Sequence, residues 1–263
     1  MPRADDDKPL GAAALHGATI VVTRPVGTGA ALARGVRKAG GVAVLLPGLR
    51  LRAKDDATRG PVLPRTCGIF LFTSPAAVRF AFASETRRLP HGALVVAVGE
   101  GTRAALARLG IDAQVPADRS DSEGLLALPA LADVRGRRIA LVGAAGGRDL
   151  IASTLRARGA AVEAVHVYER VPPQLTRRHF DALAAASDPL LTLVSSGEAL
   201  ANLVALLPGA ALARLRGQTL IASSARLGEL ARAAGFAEVA IAQSALPRDL
   251  LAAAARCLAR HRL

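Results

Sequence analysis

Hydroxyls at the ends of apolar runs are the residues of this chain best placed to do chemistry. Thr73-Ser74-Pro75 closes the run IFLF, and Ser195-Ser196-Gly197 closes LLTLV. Thr23-Arg24 follows TIVV, Gly99 and Thr102 follow VVAV, and Ser224 follows TLIA. Each stands where a helical pattern begins. A Ser or Thr at such a point satisfies the first free amides of the helix. The same helix start, with its unpaired N–H groups, also attracts a carboxylate or phosphate. Four comparable positions (Thr23, Ser74, Thr102 and Ser196) favour binding in addition to capping. Arg148, after Gly146-Gly147, can grip a carboxylate through its planar fork, with a solvated first-turn arginine as the other reading. Tyr168 is the one tyrosine. Its phenol can donate a hydrogen bond to a leaving hydroxyl or to a carboxylate. Packing at a strand end explains it equally well.

Other chemistries lack their parts. No GxSxG, HExxH or HxxxH occurs, and the acids form no evident general acid/base couple. GAAGGRDL (143–150) lacks the GK[ST] ending of a phosphate loop. GTGAAL (27–32) starts well past its strand, and no acid closes the strand that follows, so a dinucleotide site is not supported. His16, His91, His166, His179 and His261 read as surface or satisfied histidines. No metal site and no cofactor is expected. What remains is a binding vessel rich in hydrogen-bond donors.

The elements that must position these residues are short. Apolar runs at 18–23, 42–46, 69–73, 94–98, 138–142, 162–168, 190–195, 218–222 and 238–242 read as strands buried on both faces of parallel sheets. Helical patterns between them stop at Gly40, Gly110, Gly159 and Gly235. This alternation predicts an α/β fold with parallel sheets. It is also duplicated. The strand–loop–helix–strand starting at Thr19 returns at Arg138, each copy followed by a hydroxyl-ended strand and a further strand–turn–helix. PGLRLRAKDD (47–56) and VHVYERVPP (165–173) occupy equivalent places and read as crossovers between two domains. The expected division is 17–47 plus 172–263 for one α/β domain and 52–168 for the other, with 1–16 as a disordered lead-in.

The chain has 263 residues, 51% hydrophobic but only 3% aromatic, so its cores rest on Ala, Val, Leu and Ile. The scarcity of aromatics leaves little to stack bases on, and no dense basic block appears, so nucleic acid is not an expected partner. A formal net charge of +13 suits an anionic ligand, although an arginine- and alanine-rich composition explains much of it. Cys67 and Cys257 lie far apart in no metal-like spacing, which fits a reducing cytoplasm. The N-terminus is acidic where a signal peptide needs a basic start. No apolar run is long enough to span a membrane.

An ordered set of segments carries a family resemblance. TRP (23–25), FTSPAAV (72–78), VGEGT (98–102), SEGLL (122–126), GGRDLIASTLRARGAAV (146–162) with VYER (167–170), VSSGEAL (194–200) and SSARLGELARAAGF (223–236) resemble uroporphyrinogen-III synthase of the proteobacterial type. The resemblance covers about residues 18–256. It implies two α/β domains joined by a two-stranded β-ladder, with the active site in the interdomain cleft. It implies cyclisation of hydroxymethylbilane to uroporphyrinogen III without cofactor or metal, in the cytoplasm and as a monomer. The substrate carries eight carboxylates, and the task is largely to hold a reactive chain in the right fold. The family's tyrosine falls on Tyr168, which would assist departure of the hydroxyl. Substrate contacts would fall on Thr23, Arg24, Thr73, Ser74, Gly99, Thr102, Gly147, Arg148, Ser195, Ser196, Gly197 and Ser224. A transient contact with the deaminase that makes the unstable bilane is compatible with this reading. VGAAGG lacks the RG that often precedes the glycine pair in the family, so any role of that arginine is absent. The alternative is a two-lobed ligand-binding or regulatory protein without catalysis.

Overall fold

The computed structural model describes residues 11–54, 63–83, 88–117, 122–146 and 149–261. In chain order the elements are β1 (Thr19–Val22), α1 (Ala30–Lys38), β2 (Val42–Leu45), β3 (Arg50–Ala53), β4 (Ile69–Phe72), α2 (Pro75–Ala81), β5 (Leu94–Ala97), α3 (Glu100–Ala107), α4 (Ser122–Leu126), β6 (Arg138–Ala144), α5 (Leu150–Ala157), β7 (Ala161–Val171), α6 (Arg177–Ala184), β8 (Leu190–Val194), α7 (Gly197–Leu206), α8 (Gly209–Arg216), β9 (Thr219–Ala222), α9 (Ala225–Ala233), β10 (Glu238–Ile241) and α10 (Pro247–His261). The chain divides into two compact units. One runs to Arg50 and resumes at Val171, and the other is Leu51–Arg170.

The first unit holds a sheet of order β10-β9-β8-β1-β2, parallel throughout. The second holds the order β3-β7-β6-β4-β5, with β7, β6, β4 and β5 parallel. Strands β1, β4, β8 and β9 are buried along their whole length, which is why they read as unbroken apolar runs. Helices cover both faces, giving each unit two cores. One face of the first sheet packs Ile20, Leu191 and Ile221 against α1 and α10. The other packs Val21, Leu200, Leu220 and Phe236. The second sheet places Phe70, Phe72 and Val142 in one core and Leu71, Ile139 and Leu155 in the other.

The duplication seen in the sequence becomes a shared strand order. Under the correspondence β1 with β6, β2 with β7, β8 with β4 and β9 with β5, the run β2-β1-β8-β9 becomes β7-β6-β4-β5, which is the order observed. Each sheet therefore takes one βαβ piece from each copy. The glycines expected to stop the repeated helices do so in the left-handed region, with φ +83° at Gly40 and +86° at Gly159.

Two expectations are corrected. Residues 11–16 are not a loose lead-in: Leu15 is fully buried in the first core, and its N–H donates to Ala39 O at 2.8 Å. A single apolar anchor suffices to dock that segment, while residues 1–10 lie outside the described residues. The stretch 47–56, read as a crossover and absent from the expected strand runs, contains the strand β3 beside β7. Its RLRA sequence lies largely exposed at the sheet edge, so it shows no apolar pattern, and Arg52 is held by Glu169 at 2.6 Å. The chain passes between units within β3 and again within β7.

Some of the excess positive charge does structural work. Arg214 donates to the carbonyls of Leu183 (2.7 Å), Ala184 and Ala186 at the end of α6. Arg158 does the same for Leu126 and Leu131 at 2.8 and 2.7 Å. These guanidiniums add donors to carbonyls at helix ends.

Candidate functional site

In an open parallel sheet, ligands bind beyond the carboxyl ends of the strands where the strand order reverses. That point lies between β4 and β6 in the second unit and between β1 and β8 in the first. The predicted hydroxyls sit at these two places. Thr73 and Ser74 leave β4, opposite the glycine-rich end of β6. Thr23 and Arg24 leave β1, opposite Ser195 and Ser196 at the end of β8.

In the second unit, Ser74 caps α2. Its backbone is extended, its Oγ accepts the Ala77 N–H at 3.0 Å, and Pro75 opens the helix where no N–H is required. Tyr168 reaches the same atom from β7: its Oη lies 3.2 Å from Ser74 Oγ, and either oxygen can be the donor. The ring is 4% exposed, sits in the core of this unit, and stacks on Phe80 with centroids 5.3 Å apart. Such a pair adds about 0.5–1.5 kcal/mol beyond burial and fixes the plane of the phenol. A register shift in the β6–β7 pairing, where Gly143 faces His166 but Ala144 faces Tyr168, brings the tyrosine to this position. Thr73 Oγ1 donates to Val142 O at 3.2 Å and lies where a side chain on Gly143 would be, so only glycine fits there.

A pocket of about 780 Å³ opens here, within the usual range for small-molecule sites. Thr73, Ser74, Gly143, Gly146 and Tyr168 line it, together with Ser122. Gly99 caps α3 in an extended conformation, and the Thr102 N–H closes on its carbonyl at 3.0 Å. Thr102 itself is buried. Gly147 and Arg148 lie outside the described residues.

In the first unit, Ser196 and Ser224 are likewise N-caps, accepting from the N–H groups of Ala199 and Leu227 at 3.4 and 3.3 Å. Ser195 is half-buried beside Ser196, and Gly197 is exposed at the first position of α7. Thr23 is buried and donates to Leu193 O at 2.7 Å, so its proton is spent on joining β1 to β8. Arg24 is half-buried and donates to Ala245 O, and burial lowers the pKa of its guanidinium. No tyrosine counterpart exists in this unit. After β2, Gly48 packs directly against α7. A Cβ there would stand 2.6 Å from Ala199 Cβ and 2.8 Å from its carbonyl oxygen.

Sequence reasoning did not bring Ser74 and Tyr168 together, and it missed Ser122, Arg156, His166 and Arg170 among the pocket residues. The signal for two of these was present, since His166, Tyr168 and Arg170 alternate along one strand. Among the described residues no three His, Cys, Asp or Glu side chains converge as metal ligands, and no helix is long and apolar enough to cross a membrane. His179 accepts the Thr176 N–H at 3.0 Å through Nδ1 and thereby helps start α6.

Comparison with known proteins agrees with this architecture. Residues 30–252 match the family model described as uroporphyrinogen-III synthase HemD. The uroporphyrinogen-III synthase of Salmonella typhimurium is 34% identical over 244 residues, covering 86% of this chain and 96% of that protein. The Escherichia coli one is 31% identical over 241 residues with the same coverage. Among solved structures, uroporphyrinogen-III synthetase from Helicobacter pylori shares the fold with TM-score 0.64 at 13% identity, over 92% of this chain and 100% of that one. A Thermus thermophilus uroporphyrinogen III synthase shares it with TM-score 0.54 at 19% identity, over 92% and 99%. The chain belongs to the uroporphyrinogen-III synthase family.

Proposed function

We propose that Tyr168, oriented by Ser74, is the group with which this chain assists departure of the substrate's hydroxyl. The reaction of its family is the cyclisation of linear hydroxymethylbilane to uroporphyrinogen III, with loss of water and inversion of ring D, a lyase step of tetrapyrrole and heme biosynthesis. The purely ligand-binding alternative is not favoured, because the relatives that match over most of the chain are named as uroporphyrinogen-III synthases.

The observation that supports the assignment is the chain of hydrogen bonds ending in the pocket. The Ala77 N–H points at Ser74 Oγ, and Ser74 Oγ lies 3.2 Å from Tyr168 Oη. When Ser74 donates to the phenol, the phenolic proton is free to point at a bound ligand, and each bond polarises the next. The C–O bond of the hydroxymethyl group then breaks as its oxygen takes that proton and leaves as water. The pyrrole nitrogen supplies electrons and gives up its N–H proton, which makes good the proton taken from Tyr168, and the azafulvene expected for the family results and closes through a spiro intermediate. No strong base is required, so the main work is orientation. Thr73, Ser74, Gly99 and Thr102 in one unit, and Arg24, Ser195, Ser196, Gly197 and Ser224 in the other, are proposed to meet the acetate and propionate arms. Gly147 and Arg148 are proposed to join them. The Thr23 hydroxyl proton is engaged by Leu193 O, so Thr23 is proposed to meet the substrate as an acceptor only.

We further place the protein in the cytoplasm as a cofactor-independent monomer, with a transient contact to the deaminase that supplies the bilane. The two free buried cysteines, one in each unit, support a reducing compartment. Purified protein given hydroxymethylbilane, without metal or nucleotide, is expected to yield the type III isomer. Formation of the type I isomer alone, the product of spontaneous closure, would refute the assignment.

A further inference from the structure

The pocket that holds the Ser74–Tyr168 pair also carries cationic side chains that neither the hydroxyl ends nor the helix starts account for. Every second residue of β7 from Ala164 faces it: Ala164, His166, Tyr168 and Arg170. This is the alternation of a strand presenting one side. The opposite wall is α5, which contributes Ile151, Ala152 and, in its last turn, Arg156. Arg156 lies along β7 because one guanidinium nitrogen donates to Val162 O at 3.4 Å. A guanidinium has five N–H donors, so this bond fixes its direction without exhausting it. Against two arginines and an imidazole, Asp149 is the one acidic residue among the described residues of the lining. The walls are therefore built for an anion, and a planar guanidinium matches a carboxylate in particular.

We propose that Arg156 and His166, with Arg170 adding charge, form a carboxylate-binding subsite. It seats acidic arms of the substrate along β7 while Tyr168 and Ser74 meet the leaving hydroxyl. This deepens the function proposed above and rests on it. The three residues are specificity and positioning groups rather than acids or bases.

The test uses the full chain carrying Arg156→Gln, Arg156→Lys or His166→Asn. Two readouts apply. Steady-state kinetics with hydroxymethylbilane, with product isomers resolved, should show KM rising about tenfold for Arg156→Gln and severalfold for His166→Asn. kcat should stay within about twofold, and Arg156→Lys should recover part of the loss. Equilibrium titration with uroporphyrin III, an octacarboxylate that requires no turnover, should weaken in the same order. Unchanged KM and unchanged uroporphyrin binding in Arg156→Gln and His166→Asn would overturn the subsite and leave the enzyme assignment standing. Wild-type protein that makes no type III isomer, yet loses uroporphyrin binding with Arg156, would refute the assigned reaction and leave a polycarboxylate site. If Arg156→Gln fails to fold, as judged by circular dichroism, Arg156→Lys and His166→Asn decide the matter by the same two readouts.

Discussion

Ser74 Oγ and Tyr168 Oη lie 3.2 Å apart, although 94 residues separate them in the chain. Two strands of the sheet carry them to this meeting. Ser74 leaves β4 and starts α2, while Tyr168 arrives on β7, one strand beyond the β6 that lies between. The serine thus serves a helix start and a phenol at once, and the hydroxyl that caps is also the hydroxyl that orients.

Removing that hydroxyl should separate its two roles. Ser74→Ala loses a cap worth about 1 kcal/mol. It should lower Tm by a few degrees in a thermal scan. It should also lower kcat, because Tyr168 loses the partner that directs its proton. A drop in Tm with kcat unchanged would leave Ser74 as a cap alone.

Gly143 and Thr73 should be coupled. A Cβ at residue 143 would overlap Thr73 Oγ1. Gly143→Ala should therefore cost about 1–3 kcal/mol, the usual range for overpacking. In a double-mutant cycle, Thr73→Ala should relieve part of that cost, giving a coupling of about 0.5 kcal/mol or more. Additive effects in denaturant unfolding would show that the strand ends can move apart without loss.

Cys67 should resist thiol reagents in the folded protein. Burial pushes its thiol pKa up, the nearby Glu163 adds to this, and Arg138 opposes it. Since the thiolate is the reactive form, a raised pKa keeps the group protonated and inert at pH 7–8. Labelling should be slow there, should accelerate as pH rises above the ordinary thiol value, and should reach two groups per chain in denaturant, since Cys257 is also buried. Rapid native labelling of Cys67 at pH 7 would contradict its placement in the core.

Much of the fold was legible because strands such as IFLF and LLTLV are buried along their whole length and are almost wholly apolar. β3 was not, because RLRA lies largely exposed at a sheet edge and resembles a linker. The docking of Leu15 was missed because one buried leucine in a glycine- and alanine-rich stretch makes no pattern. At the site, residue types at strand ends identified Thr73, Ser74 and Tyr168 one by one. Their meeting depends on the strand order β7-β6-β4, which no local signal encodes. Thr23 shows the converse: its position suggested a free hydroxyl, but its proton closes a bond to β8 that only the tertiary fold reveals.

The central claim is that the Tyr168 hydroxyl, rather than its ring, serves the chemistry. Tyr168→Phe keeps the stack on Phe80 and the packing of the core, and removes one oxygen. Single-turnover kinetics with hydroxymethylbilane, with isomers resolved, should show formation of uroporphyrinogen III slowed by about tenfold or more, toward the 10²–10⁴ typical of a lost proton donor. Tm should fall by no more than a few degrees, as for one lost hydrogen bond. An unchanged rate of type III formation in a folded Tyr168→Phe protein would contradict the account.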